Sequence, residues 1–127
     1  MSMIREVLRN LFRRPATIEY PKKPTPVEPD ARGRHYVDLR KCIGCSLCAV
    51  DCPSKSITMK PLPPELREKA KQNRRGLYPV INYMNCIYCY RCVSICPVKA
   101  YVTTSEYQLA SPEPLTSEEL SLATLRG

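Results

Sequence analysis

The chain has 127 residues, with one Phe, no Trp, 13 Pro, 8 Cys and a formal charge of +8 at pH 7. That length suits one small domain with tails, and proline at about twice its usual ~5% share assigns long stretches to turns and extended arms. So small a core needs covalent or metal staples, and a single His beside few aromatics other than Tyr supplies a catalytic pocket poorly.

No apolar run approaches the ~20 residues of a membrane span. Arg5, Arg9, Arg13 and Arg14 interrupt the N-terminal apolar residues, which predicts no secretory signal. The expected compartment is therefore reducing, where eight cysteines serve as metal ligands and not as disulfides.

From Ser2 to Arg14, apolar residues fall at Ile4, Val7, Leu8, Leu11 and Phe12, one face of a helix. Pro15 ends that helix by pushing its predecessor out of the helical region. Ala16 to Arg34 carries Pro21, Pro24, Pro26 and Pro29 without a period, so residues 1–34 read as an amphipathic helix and a Pro-rich docking arm. Residues 35–59 and 79–103 form an internal repeat. Cys42-Ile-Gly-Cys45-Ser-Leu-Cys48-Ala-Val-Asp-Cys52-Pro53 superposes on Cys86-Ile-Tyr-Cys89-Tyr-Arg-Cys92-Val-Ser-Ile-Cys96-Pro97 at a constant offset of 44. Each copy opens on a β-prone run (His35 to Leu39; Tyr78 to Tyr83) and closes on another (Ile57 to Lys60; Tyr101 to Thr104). A Cys-rich loop and a short, proline-stopped helix lie between. The fold class that follows is α+β, a small duplicated (βαβ)2 domain over 35–110. In its charged insert, 61–76, Pro64 and Glu65 begin a short solvated helix that ends near Arg75 and Gly76. In the tail, 111–127, Thr116 and Glu119 have capping-box spacing with Leu120, Leu122 and Leu125 behind them, which predicts a turn or two of docked helix.

Cys-x2-Cys-x2-Cys-x3-Cys-Pro is the bacterial-type iron–sulfur run, in which the fourth Cys ligates the other cluster. Three thiolates on a tight loop wrap three iron corners, and the fourth, placed further along the helix, reaches across. Cys42, Cys45, Cys48 and Cys96 are therefore assigned to one [4Fe–4S] cluster, and Cys86, Cys89, Cys92 and Cys52 to a second. The crossing staples the halves and sets the clusters on the order of 10 Å apart. Structural zinc arranges ligands as two pairs, which two triplets and two lone cysteines fit badly. Disulfides need an oxidising compartment.

Gly44 lets the first loop bring backbone N–H groups to sulfide, and its counterpart is Tyr88. Packing accounts for Tyr88 and Tyr90, and His35 reads as a hydrogen-bonded structural residue sooner than a cluster-tuning one. Arg91 is either a solvated charge or a stabiliser of a reduced cluster.

The double Cys run resembles the two-cluster ferredoxin fold. More narrowly, Leu11 to Pro21, Gly33-Arg34-His35 and Ser105-Glu106-Tyr107-Gln-Leu-Ala resemble the iron–sulfur subunit I of complex I-type NADH:quinone oxidoreductases, with relatives in membrane-bound [NiFe]-hydrogenases and sulfur-reducing complexes. The resemblance covers roughly residues 3–110. It implies a peripheral subunit on the cytoplasmic face of a membrane, in the hydrophilic arm, passing electrons to the cluster of a neighbouring subunit. A compact basic insert, a short tail, and Tyr88 and Tyr90 where a small residue is common place the chain nearer the hydrogenase and sulfur-reductase relatives than NADH dehydrogenase.

Residues 1–41 hold 10 basic and 5 acidic groups, 42–85 hold 7 and 3, and 86–127 hold 3 and 4. No basic stripe is interleaved with stacking aromatics, which argues against nucleic acid. Anionic clusters offset part of the excess positive charge. Residues 2–14 have no intramolecular core to fill and are expected to dock on a membrane subunit or a lipid surface. The alternative to a fixed subunit is a free, diffusing ferredoxin, but such carriers are usually acidic and lack a basic arm. No small-molecule substrate and no independent catalytic site are expected.

Overall fold

The computed structural model describes residues 3–126, so Ser2 and Gly127, the expected limits of the first helix and the tail, lie outside the described residues. Helix α1 spans Met3–Leu11 and buries none of its residues. Residues 12–34 run without regular helix or strand. Then follow β1 (His35–Val37), α2 (Leu47–Val50), β2 (Ile57–Pro61), α3 (Pro64–Arg67), β3 (Leu77–Ile81), α4 (Arg91–Ile95), β4 (Tyr101–Thr103) and α5 (Glu118–Arg126).

The strands pair across the repeat and not within it. β1 pairs antiparallel with β4, and β2 with β3, as two two-stranded sheets. Val37 faces Tyr101 in one and Ile81 faces Ile57 in the other. Those two pairs are related by the same 44-residue offset that relates the cysteine runs. Two-stranded sheets leave each strand an open edge, which is why β3 tolerates Pro79 in its interior.

Two apolar clusters result. Val37, Leu39, Leu62, Ala70, Tyr78, Val80, Ala100 and Leu125 form one, and Ile57, Ile81 and Tyr83 join Cys48 and Cys92 in the other. The charged insert is more than the solvated helix expected. Its helix is a single turn, and Leu62, Ala70 and Asn73 are buried while its lysines and arginines are exposed. Leu66, the apolar residue of that turn, packs partly buried against the same cluster as Leu62 and Ala70.

The last helix closes the domain from outside the repeat. Leu125 enters the first apolar cluster. Ile81 N–H donates to Ser117 Oγ at 2.9 Å, Val37 N–H to Ser121 Oγ at 3.3 Å and Leu39 N–H to Thr124 Oγ1 at 3.1 Å. Ser117 and Ser121 are fully buried. Hydroxyls of this helix and its lead-in thus satisfy donors of β1, β3 and the residue two beyond β1 that the short sheets leave open.

Candidate metal centres

Both cysteine runs make the same tight turn. Gly44 (φ 68°) and Ser46 (φ 69°) are left-handed in the first, Tyr88 (φ 52°) and Tyr90 (φ 60°) in the second, and Lys55 (φ 50°) and Lys99 (φ 46°) follow the two prolines. A non-glycine residue held there costs about 1–3 kcal/mol, and such strain persists only where surrounding structure imposes it. Here the turn folds successive thiols toward one space and aims backbone N–H groups at sulfur. Tyr88 N–H donates to Cys86 Sγ at 3.4 Å, and Ala100 N–H to Cys96 Sγ at 3.3 Å.

Since Tyr88 accepts the same φ, backbone freedom alone does not demand glycine at 44. A Cβ there would collide with Asn73 Oδ1 and lie 2.8 Å from the Leu77 carbonyl. The buried insert, absent from the other half, imposes the glycine.

Cys48 and Cys92 lie in α2 and α4, but Cys52 and Cys96 stand just beyond those helices and not within them as expected. The prolines that follow explain the difference, because a residue before proline is driven from the helical region. Cys96 is extended, at φ −70° and ψ 112°.

Cys42, Cys45, Cys48 and Cys96 surround one cavity, walled by Val37, Pro79 and Tyr101 among others. Cys52, Cys86, Cys89 and Cys92 surround a second, walled by His35, Ser56 and Ile57 among others. Each cavity takes three thiols from one run and one from the other. Among the described residues no three His, Cys, Asp or Glu side chains converge on a single-ion site. The thiols stand instead in two groups of four.

Burial pushes the Cys42 thiol up to about 11 and the Cys92 thiol up to about 12, and raises Cys48 and Cys86. Burial opposes ionisation of Cys52 too, yet hydrogen bonds from Ser56 and Ser54 outweigh it and leave this thiol below its ordinary value. Neutral buried thiols of this kind release their protons when a cation binds.

His35, 1% exposed, places Nε2 3.5 Å from Cys92 Sγ. The rings of Tyr83, Tyr88, Tyr90 and Tyr101 surround it, with centroids 5.0–6.3 Å away. Tyr83 OH donates to the His35 carbonyl and Tyr90 OH to the Gly33 carbonyl, so both the packing and the tuning readings of these residues have a structural counterpart. Arg91 is a solvated charge, as one of its two readings expected, and it is ion-paired. Its Nε and Nη2 donate to Asp51 at 3.0 and 2.9 Å, pinning α4 to the end of α2.

Two buried polar atoms lack a hydrogen-bond partner among the described residues, His35 Nδ1 and the Tyr101 hydroxyl. The hydroxyl lies beside Cys48, whose thiol it draws downward against burial. An anionic sulfur there is the acceptor it lacks. Four soft thiols per cavity, N–H groups aimed at them and a buried donor wanting an anion together fit two [4Fe–4S] clusters. Tyr101, Ser54, Ser56 and Asp51 were not singled out in the sequence. Their signal lay in where the two halves differ, not in the motif they share.

A family model described as the 4Fe-4S dicluster domain matches residues 41–100. NADH-quinone oxidoreductase subunit I 2 of Geobacter metallireducens is 37% identical over 109 residues, covering 82% of this chain and 79% of the relative. NAD(P)H-quinone oxidoreductase subunit I of Gloeobacter violaceus is 31% identical over 104 residues, covering 82% of this chain but 48% of that protein. Among solved structures, a chain of the membrane-bound sulfane sulfur reductase, an archaeal respiratory membrane complex, superposes with a TM-score of 0.63 at 32% identity. That match covers 96% of this chain and 60% of the other.

Proposed function

Since the chain belongs to the subunit I family of NADH-quinone oxidoreductases, we propose that it is a peripheral electron-relay subunit in the hydrophilic arm of a membrane-bound, complex I-related respiratory complex. It is an iron–sulfur protein of two [4Fe–4S] clusters with no independent catalytic site, in line with its family and relatives. We assign Cys42, Cys45, Cys48 and Cys96 to one cluster and Cys86, Cys89, Cys92 and Cys52 to the other. The observation that carries the reading is the pair of crossed four-thiol cavities. When bound, each cluster supplies a site for one electron at a time.

The chain's own residues do the rest. Crossed ligation ties the two sites into one rigid body, so their separation is constant from turnover to turnover. The left-handed turns direct N–H groups at sulfur before any cluster arrives, which limits reorganisation there. Side chains of both apolar clusters limit water at the thiols.

We read residues 35–110 as a duplicated (βαβ)2 domain, supported by the common 44-residue offset of motif, strand register and left-handed residues. Residues 1–34 form its docking arm and 111–127 its tail. The apolar face of α1 is 53–85% exposed at Met3, Ile4, Val7, Leu8, Leu11 and the following Phe12. We assign that face to a membrane subunit or lipid surface on the cytoplasmic side, and the clusters' next electron partner to a neighbouring iron–sulfur subunit. No described helix is long and apolar enough to cross a membrane. Placement in a sulfur- or proton-reducing complex sooner than an NADH dehydrogenase draws support from the sulfane sulfur reductase match along nearly the whole chain.

Anaerobic iron and sulfide analysis of the full chain should return about eight of each. Native membranes should release the chain only together with other redox subunits. A protein that purifies as a free monomer, away from membranes, would overturn the relay reading in favour of a diffusing carrier.

A further inference from the structure

The two cavities are built from equivalent positions, which makes their differences interpretable. Applying the 44-residue offset to the wall of the first cavity, Pro79 falls on His35, Val98 on Ser54, Ala100 on Ser56 and Tyr101 on Ile57. All eight of these residues line the cavity their half predicts. Burial is matched as well, since Ser54 and Val98 are half-buried while Ser56 and Ala100 are buried.

What differs is the supply of side-chain donors. Around the second cavity, Ser56 Oγ stands 3.3 Å and Ser54 Oγ 3.6 Å from Cys52 Sγ, and His35 Nε2 stands 3.5 Å from Cys92 Sγ. A ligating thiolate has no hydrogen to give, so at each contact the hydroxyl or the imidazole N–H donates. Around the first cavity the three counterparts, Pro79, Val98 and Ala100, have no side-chain donor; the Tyr101 hydroxyl stands beside Cys48, and the Ser46 hydroxyl is matched by that of Tyr90 at the second cavity. Backbone donors do not offset this, because both halves make the same turn. Hydrogen bonds to cluster sulfur stabilise the more negative, reduced state and so raise the reduction potential.

We propose that the departures of the repeat from symmetry make the two sites unequal, and that the Cys52–Cys86–Cys89–Cys92 site binds its electron more tightly than the Cys42–Cys45–Cys48–Cys96 site through Ser54, Ser56 and His35. A single electron entering the chain therefore resides on the second site, and the first is filled only by another. This inference rests on the two-cluster reading above.

The decisive comparison exchanges side chains between the halves. The full chain, loaded anaerobically with iron and sulfide, is reduced stepwise with dithionite and redox mediators while electron paramagnetic resonance follows each reduced site. Two separate midpoints are expected. S54V/S56A gives the second half the residues of the first, and should lower the upper midpoint by about tenfold in electron affinity, ~59 mV for a one-electron couple. V98S/A100S should raise the lower midpoint, and it serves if the first variant does not load. Coincident wild-type midpoints, movement of the lower step in S54V/S56A, or no movement in either variant overturns the proposal. Iron and sulfide well short of eight each in the wild-type chain would instead sink the two-cluster reading, so the two failures are distinguishable.

Discussion

Cys52 shows at the scale of one residue how much a neighbour decides. It belongs in sequence to the first run, yet its thiol faces the cavity of the second and takes hydrogen bonds from two serines. Removing it should therefore damage the site that Cys89 serves. C52A and C89A should leave the same residual spectrum in the reduced, loaded chain, distinct from that left by C45A. Agreement of C52A with C45A would refute the crossing. Gly44 makes a second point at this scale. Tyr88 adopts a similar φ, so G44A is expected to fail through its contact with Asn73 and Leu77 in addition to the strain of the turn. G44A should consequently loosen the 61–76 insert, measured as faster proteolysis there, while N73A/G44A recovers part of the loss.

Among elements, α5 carries the clearest energetic consequence. The Ser117 hydroxyl is the acceptor for Ile81 N–H, and both residues have essentially no exposure. S117A leaves a buried donor unsatisfied, at about 1–3 kcal/mol. Hydrogen exchange at the Ile81 amide should accelerate about tenfold or more, and an unchanged rate would show that water replaces the hydroxyl. At the start of the same helix Glu118 binds Lys60 Nζ at 2.6 Å and accepts from Tyr78 OH at 2.8 Å. The Lys60 ammonium first, and the Tyr78 hydroxyl second, hold its carboxyl below the usual range. A depressed folded pKa stabilises above the unfolded value, and that contribution disappears as pH falls through the folded one. Docking of α5 should weaken only below the ordinary carboxylate range, and E118Q should remove that acid dependence. The pair is largely exposed, so its worth is at most about 1 kcal/mol.

For the molecule as a whole, the contrast lies between an interior closed by thiol sites and an N-terminus that buries nothing. Deleting residues 1–20 removes α1 without removing a core residue. The truncated chain should load iron and sulfide fully and melt as the full chain does, while losing its place in the membrane complex. Assembly at undiminished levels would show that α1 is not the docking element. The basic surplus concentrated in residues 1–85 falls on the arm, the first half and the insert, and the last 42 residues are slightly acidic. The insert's lysines and arginines are exposed while its Leu62, Ala70 and Asn73 are buried, so it is a packed segment rather than a free linker.

The sequence by itself determined the two cysteine runs, the strands and the amphipathic N-terminus. Each of these rests on local spacing, and spacing survives whatever the rest of the chain does. The strand bounds moved by only a residue or two. What only the tertiary structure decided depends on contacts between distant segments. The strands pair between halves and not within them, the insert turns its apolar edge onto Gly44, and Arg91 reaches Asp51 across the repeat. Serine hydroxyls from α5 and its lead-in complete the sheets, although a capping box at Thr116 was the local signal. His35 and Tyr101 stand among the thiols because β1 and β4 lie side by side, and no spacing rule joins residues 66 positions apart. A motif fixes which atoms bind a cluster. The fold decides which donors surround each one, because those donors come from wherever the packed chain brings them.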